Sequence, residues 1–248
     1  MRVISSEDRK YSKLDNGIYD SVVGISIFDK DSKRFQTIGS GLLFKFRNQI
    51  YLSTNKHVVN NLKIFHITFN DANFIDNNKQ IKIDLSNLSL VNRIYHKNNE
   101  VDICLFKFSD LLFKSLKVNI IEINNYALTV EEMKALNFYE TKEVVVLGHP
   151  ISLSNSYGLH AIVRSGTISQ ISYMYSRNFN YKHFLIDAFA YPGNSGGPVV
   201  GVVEKIVNNK LIFENYIIGV LQSIVMYDNI NTGLSSVIAF EHVLECLK

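Results

Sequence analysis

The chain has 248 residues, of which 46% are hydrophobic and 20% charged, and its formal net charge is +3. This balance is ordinary for a soluble globular protein and excludes the disordered and fibrous classes. Because 26 basic residues stand against 23 acidic ones and no Lys/Arg cluster is interleaved with aromatics, we expect no nucleic-acid partner. The length suits one large all-β domain or two small ones.

The first ten residues carry no apolar stretch typical of an export signal. No later segment approaches the roughly 20 apolar residues that are needed to span a bilayer. We therefore expect a cytoplasmic protein with no membrane partner. With seven scattered histidines and no Cys-x-x-Cys motif, the sequence predicts neither a metal site nor any other cofactor.

The first half of the chain consists mainly of short β-rich runs between turn signals. Strands are predicted over residues 22–28, 41–46, 50–53, 62–69, 81–88 and 102–108. A short helix is predicted over residues 129–136, where Thr129 and Glu132 have the spacing of a capping box.

A second series of strands is predicted over residues 144–148, 161–171, 183–189, 198–203 and 211–221. The pairs Asn208-Asn209 and Asp228-Asn229 are typical of hairpin tips. Apolar residues between Ser235 and Lys248 recur near helical spacing and predict a closing helix. The simplest fold class is all-β. Two antiparallel β-barrels or sandwiches account for it, one in residues 1–125 and one, with the closing helix, in residues 126–248.

Three segments carry the residue types that nucleophilic catalysis requires. A serine hydroxyl is a weak nucleophile at neutral pH, so it needs an imidazole to accept its proton and a carboxylate to orient that imidazole. Alone, a histidine or an aspartate is more often an ordinary structural residue, but the three segments together predict a catalytic triad. Its members are Ser195 in Pro192-Gly-Asn-Ser-Gly-Gly-Pro198, His57 in Ser53-Thr-Asn-Lys-His-Val-Val59 and Asp102 in Glu100-Val-Asp-Ile-Cys-Leu-Phe106.

The glycines around Ser195 have a separate role. A turn that directs two backbone N–H groups at one point needs unusual backbone angles and room for a substrate carbonyl, and glycine supplies both. Gly193 and Ser195 are therefore the predicted donors of an oxyanion hole. Since His57 and Asp102 fall in the first half and Ser195 in the second, we expect the site in the cleft between the halves.

These motifs resemble the trypsin-like serine peptidases of the chymotrypsin fold, and among them most closely the protease domain of the bacterial HtrA/Do group. The likeness covers about residues 39–225 in the expected order. It implies two perpendicular six-stranded β-barrels and a serine endopeptidase that cleaves a protein or peptide substrate through an acyl-enzyme. Further segments that carry it are Gly39-Ser-Gly-Leu-Leu43, Asp102-Ile-Cys-Leu-Phe-Lys-Phe108, Val144-Val-Val-Leu-Gly-His-Pro150, Arg164-Ser-Gly-Thr-Ile-Ser169 and Ile218-Gly-Val220.

The resemblance also implies where substrate binds. One wall of the S1 pocket precedes the serine, and a later strand pairs with the substrate backbone as an added strand. No acidic residue falls where trypsin-type enzymes keep their selector for basic side chains. We expect an apolar P1 residue, because a buried Lys or Arg without a countercharge is costly. The implied substrate-binding residues are Phe189, Ala190, Tyr191, Leu221, Gln222, Ser223 and Ile224.

The chain departs from the family pattern in two respects. It shows neither an export signal nor a PDZ domain, so gating through a PDZ domain is not expected. Asn194 stands where trypsin-type zymogens have an aspartate that captures a new N-terminus, so we expect activity without N-terminal cleavage. Two other functions stay open, namely a catalytically silent peptide-binding module and a latent stress or defence effector that a partner activates. A regulatory partner or a homo-oligomer also stays open.

Overall fold

The protein is described by a computed structural model over residues 14–70, 80–113, 120–150, 160–175 and 180–248. The first half contains α1 (Asn16–Ser21), β1 (Val22–Asp29), β2 (Arg34–Phe46), β3 (Gln49–Thr54), α2 (Lys56–Val59), β4 (Ile64–Thr68), β5 (Gln80–Asp84), β6 (Val91–Tyr95), β7 (Cys104–Phe108) and β8 (Ile121–Glu122). The second half contains α3 (Val130–Ala135), β9 (Glu143–Gly148), β10 (Ile162–Gln170), α4 (Ser172–Tyr175), β11 (His183–Asp187), β12 (Pro198–Val207), β13 (Lys210–Tyr227), β14 (Ile230–Ala239) and α5 (Glu241–Glu245). Within these ranges, every helix is too short or too polar to cross a bilayer.

The strands form two sheets, so the all-β fold class is confirmed. The C-terminal sheet closes into a barrel of six strands in the order β10-β11-β14-β13-β12-β9. The N-terminal sheet has eight strands, with the order β5-β4-β1-β2-β3-β7-β6 and β8 added to β2 in parallel. Over the described residues its end strands β5 and β6 do not pair, so it is a half-barrel rather than the expected six-stranded barrel.

The extra strand of the N-terminal sheet follows from the length of β2. This strand has 13 residues, and its pairing with β1 ends at Leu42. Phe44 and Lys45 therefore extend past β1 and pair with β8 instead. The predicted division after residue 125 falls between β8 and α3 and stays a prediction.

Local signals in the sequence were reliable where a short motif decides the structure. The Thr129 hydroxyl accepts the N–H of Glu132 at 3.3 Å while the Glu132 carboxylate accepts the N–H of Thr129 at 2.7 Å, so the capping box at α3 is confirmed. Asn208 and Asn209 both have positive φ between β12 and β13. Two-residue hairpin turns of this kind require that conformation, and Asn tolerates it.

Three strands were not predicted from the sequence, namely β6, the two-residue β8 and β14. Asn92 and Arg93 interrupt the apolar pattern of β6, which pairs with β7. The closing helix was predicted from Ser235 onward, but this prediction is wrong at its start, because residues 230–239 form β14 and only Glu241–Glu245 are helical. Strand β14 pairs with β11 on one side and β13 on the other, so closure of the barrel decides the conformation of this segment.

One apolar core joins the two sheets. Leu42 and Phe44 from the N-terminal sheet belong to the same buried cluster as Leu147, Val220 and Phe240 from the C-terminal half. The rings of Phe44 and Phe240 meet edge to face, with centroids 6.4 Å apart. Burying a side chain of this size contributes about 1.5–3 kcal/mol. The shared core therefore fixes the two sheets against each other.

A polar cluster attaches α5 to the N-terminal sheet. Oε2 of Glu245 lies 2.7 Å from Nε2 of His96, which follows β6, and 2.9 Å from Nδ1 of His242. Both histidines are buried, with 5% and 6% of their surface exposed. The histidines thus are not all scattered, since two of them meet one carboxylate across the two halves of the chain.

The hydrogen bonds of this cluster indicate protons rather than a metal ion. The N–H of Asn98 donates to Nδ1 of His96 at 3.1 Å, and the N–H of Lys182 donates to Nε2 of His242 at 3.0 Å. In neutral rings these two N–H donors favour protons on the nitrogens that face Glu245, while the Asn98 carbonyl, 3.3 Å from Nδ1 of His96, is the acceptor for the other tautomer of that ring. Histidines that bind metals do the reverse, because they turn a bare nitrogen to the metal and donate from the other one. Among the described residues, no second group of His, Cys, Asp and Glu side chains is compact enough for a metal ion.

Replacing Glu245 by alanine tests this attachment. Glu245→Ala removes the acceptor of two buried N–H groups, so we expect the free energy of unfolding to fall by about 2–4 kcal/mol, since each unpartnered buried donor costs about 1–3 kcal/mol. Urea denaturation at pH 7 measures this change.

The matched control is Glu241→Ala on the same helix. Glu241 pairs with Lys182, whose side chain is 38% exposed, and such pairs contribute less than about 1 kcal/mol. Equal losses in the two variants, or a loss of wild-type stability on addition of EDTA, would contradict the proton-linked cluster.

Candidate active site

His57 and Asp102 form a bonded pair at the start of α2. Nδ1 of His57 lies 2.6 Å from Oδ2 of Asp102, and the backbone N–H of His57 donates to Oδ1 of the same carboxylate at 3.1 Å. Because a carboxylate accepts, the proton of the neutral ring is assigned to Nδ1, and Nε2 keeps its lone pair. The His57 side chain is 51% exposed. The pair therefore presents to the cleft the tautomer that a general base needs.

The register of two strands brings these residues together. Thr54 at the end of β3 pairs with Cys104 at the start of β7, so the segments that follow β3 and precede β7 are neighbours. Asn55, the N-cap residue of α2, donates from Nδ2 to the carbonyl oxygen of Asp102 at 2.8 Å. Val101 and Ile103 on either side of Asp102 are fully buried, which anchors the carboxylate in the wall of the cleft.

Ser195 lies in a tight turn that precedes β12. The N–H of Asn194 donates to the carbonyl of Tyr191 at 3.0 Å, and Gly193 has φ of 97°. This hydrogen bond, with proline at the second position and a positive φ at the third, defines a type II β-turn. Pro192 fixes its own φ in advance, and only glycine adopts the next conformation without strain. The sequence Pro-Gly-Asn thus sets the backbone just before Ser195.

Two peptide groups of this turn are held at both ends. In the peptide that joins residues 193 and 194, the Gly193 carbonyl accepts the Ser40 hydroxyl at 2.6 Å while the N–H bonds Tyr191. In the peptide that joins residues 195 and 196, the Ser195 carbonyl accepts the Ser40 N–H at 2.8 Å, and the Gly196 N–H donates to Leu221 at 2.9 Å. Strands β2 and β13, which belong to different sheets, therefore hold the turn by hydrogen bonds from two sides.

The peptide groups on either side of the one that joins residues 193 and 194 differ from these two, because their own N–H groups, those of Gly193 and Ser195, are available to bind a substrate. Across the residues that the structure describes, neither the N–H of Gly193 nor that of Ser195 donates to a protein acceptor. A buried N–H without a partner is uncommon in a folded protein. Gly193 is buried and Ser195 is half-buried. Two neighbouring donors of this kind are what an oxyanion hole requires.

The turn packs against the segment that carries His57. A Cβ on Gly196, where φ is 88°, would collide with the carbonyl oxygen of Ser40 and the hydroxyl of Thr54. Only glycine therefore permits this approach to the end of β3. Considering the described residues alone, the Ser195 hydroxyl makes no hydrogen bond, so His57 and Ser195 lie in adjoining segments without a direct bond. Catalytic hydrogen bonds are often long before substrate binds.

The residues expected to bind substrate lie along two neighbouring stretches. Ala190 is buried, whereas Phe189 and Tyr191 are 45% and 39% exposed, with ring centroids 5.3 Å apart. On β13, Leu221 is buried and Ser223 exposed. Strand β14 connects the two stretches, since its Ser235 donates to the carbonyl of Ala188 and pairs with Ile224. Gln222 is half-buried, and its side chain accepts from Ser236.

A family model described as a trypsin-like peptidase domain matches residues 39–207. The chain belongs to the trypsin-like peptidase family. Proteins described as "Serine protease HtrA-like" from Staphylococcus aureus strains USA300 and NCTC 8325 are each 26% identical over 187 residues, which is 73% of this chain and 21% of theirs. The chain thus spans about a fifth of the length of these curated relatives.

The fold has solved counterparts. The structure described as "HtrA-type protease AlgW with tripeptide" superposes with a TM-score of 0.61 at 17% identity, covering 96% of this chain and 62% of that chain. A serine-to-alanine variant of AlgW, also with a tripeptide, gives a TM-score of 0.57 at 16% identity and covers 93% of this chain and 60% of that chain. These likenesses concern the fold. The expected trypsin-like peptidase family and chymotrypsin-like fold are confirmed, and the chain is similar to HtrA-like serine proteases, as expected.

Two functional residues of this trypsin-like peptidase were missed from the sequence. Ser40 was quoted only as part of a resembling motif, although it contacts the nucleophile turn twice. The Asn55 side chain holds the segment of Asp102 in place through its hydrogen bond to the Asp102 carbonyl. The signal available for Ser40 was a polar residue between Gly39 and Gly41, directly before the apolar pair Leu42 and Leu43.

Behind the turn lies a buried polar region. The side chain of Asn194 is fully buried, and neither its oxygen nor its nitrogen has a protein partner among the described residues. His149 is also buried, and its backbone N–H donates to the Ser40 hydroxyl at 2.8 Å. Burial lowers the pKa of His149 to about 4, so the ring is neutral at physiological pH. An uncharged Asn194 and a neutral His149 leave this region without an ion pair.

Proposed function

We propose that this chain is a serine endopeptidase whose nucleophile, base and orienting carboxylate are Ser195, His57 and Asp102. The observation that carries the proposal is the His57–Asp102 pair, with its 2.6 Å bond, next to a turn that leaves two backbone N–H groups without acceptors. A structural loop has no need of either feature. The family match supports the same class of reaction.

The reaction follows from these groups. Nε2 of His57 accepts the proton as the Ser195 hydroxyl attacks the scissile carbonyl, and Asp102 stabilises the imidazolium that forms. The N–H groups of Gly193 and Ser195 bind the oxyanion of the tetrahedral intermediate. The imidazolium then protonates the leaving amine, and the acyl-enzyme is hydrolysed by water that His57 deprotonates in turn.

The P1 side chain of the proposed substrate is apolar. Phe189, with 45% of its surface exposed, offers apolar surface beside the buried Ala190 and Leu221, and β13 offers a strand with which the substrate backbone pairs. The nearby charge is positive, because the guanidinium of Arg164 lies 4.8 Å from the ring centroid of Tyr191. A cation there opposes a basic P1 residue.

The proposal also covers the location, the substrate class and the activation of the enzyme. We propose action in the cytoplasm on a protein or peptide, without nucleic acid or membrane as a partner, and without N-terminal cleavage, since Asn194 has no charge with which to hold a new N-terminus. The rival function is a protein that binds peptides without cleaving them or that a regulatory partner activates. The bond missing between Ser195 and His57 is the feature that favours this rival.

Covalent labelling of Ser195 tests the proposal. A fluorophosphonate probe should phosphonylate the wild type and leave Ser195→Ala unlabelled, with the adduct mapped to Ser195 by mass spectrometry. His57→Ala should label at least about 100-fold more slowly, because general-base catalysis contributes a factor of this order.

Ser86→Ala, which alters an exposed serine on a turn after β5, is the control and should label like the wild type. Persistent absence of label from wild type would favour the peptide-binding module, and label that appears only with a partner would favour latency. Either outcome contradicts a constitutive endopeptidase.

Cleavage of a peptide library tests the P1 preference. We expect Leu, Val, Phe and Ala to dominate the P1 position, because no acidic residue falls where trypsin-type enzymes keep their selector and a buried Lys or Arg without a countercharge is costly. The Ser195→Ala protein, treated identically, removes cleavages due to contaminating proteases. Dominance of Arg or Lys at P1 would refute the apolar pocket. Dominance of Glu or Asp at P1 would also refute it and would indicate that Arg164 selects an acidic side chain.

A further inference from the structure

We propose that Ser40 is a positioning residue for the oxyanion hole, one that acts through its side-chain hydroxyl. The inference rests on the proposed function, because it concerns how the same site stabilises its transition state. Ser40 touches neither substrate nor the reacting atoms. It holds the backbone of the turn whose N–H groups face the substrate.

The direction of the Ser40 hydrogen bonds is fixed by its partners. The backbone N–H of His149 donates to Oγ of Ser40 at 2.8 Å, so the hydroxyl accepts there. Its single proton is therefore free for the Gly193 carbonyl, which lies 2.6 Å away and only accepts. A hydroxyl placed between one donor and one acceptor has one hydrogen-bonding arrangement, so it orients the carbonyl rather than merely contacting it.

The position of Ser40 is itself constrained. The residue is fully buried, and its own carbonyl accepts the Thr54 hydroxyl at 2.8 Å. A Cβ added at Gly148 would lie 2.9 Å from Oγ of Ser40. Glycine at position 148 therefore leaves the room that the Ser40 hydroxyl occupies.

The peptide that Ser40 holds adjoins one of the two donors. Gly193 supplies its carbonyl to Ser40 and its N–H to the proposed oxyanion hole, and the two groups belong to consecutive peptides joined at one glycine. Glycine resists rotation less than any other residue. If the Gly193 carbonyl loses its bond to the Ser40 hydroxyl, the turn can rotate at Gly193 and its N–H can point away from the substrate. The oxyanion hole is then no longer preorganised. The hydrogen bond from the Ser40 backbone N–H to the Ser195 carbonyl does not depend on the side chain, so a substitution of Ser40 tests the hydroxyl alone.

Ser40→Ala tests the proposal by separating kcat from KM. On a quenched fluorogenic peptide with leucine at P1, we expect kcat to fall about 10–100-fold and KM to stay within about threefold, because the lost interaction belongs to the transition state. Concentrations are corrected for the folded fraction measured by circular dichroism. Ser40→Cys retains a weaker donor and should give an intermediate kcat, and it serves as the second variant if the alanine protein does not fold.

The matched control is Ser26→Ala in β1 of the same sheet. Ser26 is 2% exposed, and within the described ranges its hydroxyl hydrogen-bonds only with the Thr37 and Thr68 hydroxyls. We expect a comparable loss of stability with kcat within about twofold of wild type. Equal losses of kcat in Ser26→Ala and Ser40→Ala would show a merely structural role and overturn the proposal, as would a wild-type kcat in Ser40→Ala.

Hydrogen exchange separates this proposal from the proposed function. The Asn194 amide, bonded to Tyr191, should exchange about tenfold faster in Ser40→Ala than in Ser26→Ala, because local opening exposes it. Unchanged exchange would overturn the positioning even in an active enzyme. A wild type that neither labels nor cleaves would instead sink the proposed function, while faster exchange would still support the hold of Ser40 on the turn.

Discussion

The site depends on the grip that two strands from different sheets exert on the turn around Ser195. Ser40 of β2 bonds the carbonyls of Gly193 and Ser195, and Leu221 of β13 bonds the N–H of Gly196 and the carbonyl of Gly197. The peptides that join residues 193–194 and 195–196 are thus used for structure, whereas among the described residues the N–H groups of Gly193 and Ser195 have no acceptor. A short loop without such partners would satisfy these donors internally or with water, since buried backbone groups rarely stay unpaired.

This grip ties the chemistry to the relative position of the two sheets. The proposed base His57 follows β3 and its carboxylate Asp102 precedes β7, whereas the proposed nucleophile Ser195 precedes β12 in the barrel. The shared core around Phe44 and Phe240, together with the cluster at Glu245, holds the two halves together. A small displacement between the halves would separate the base from the nucleophile and at the same time loosen Ser40 from the turn. Stability and activity are therefore coupled at this interface.

The sequence predicted what short motifs determine. The His57, Asp102 and Ser195 segments, the capping box at Thr129 and the Asn208 hairpin all depend on residues that are close together in the chain. Contacts between distant segments were not accessible in this way. The role of Ser40 requires knowing that β2 lies beside residue 193, and the segment at Ser235 is a strand only because β11 and β13 flank it. Likewise, His96 and Glu245 are 149 positions apart, so no spacing rule associates them.

The most direct measurement is a crystal structure of the phosphonylated enzyme, in which the phosphoryl oxygen on Ser195 stands in for the oxyanion. The account predicts this oxygen within about 3 Å of the backbone nitrogens of both Gly193 and Ser195, with the Ser40 hydroxyl still bonded to the Gly193 carbonyl. An adduct whose oxygen avoids these nitrogens, or a turn that reaches them only after Ser40 releases Gly193, would contradict it.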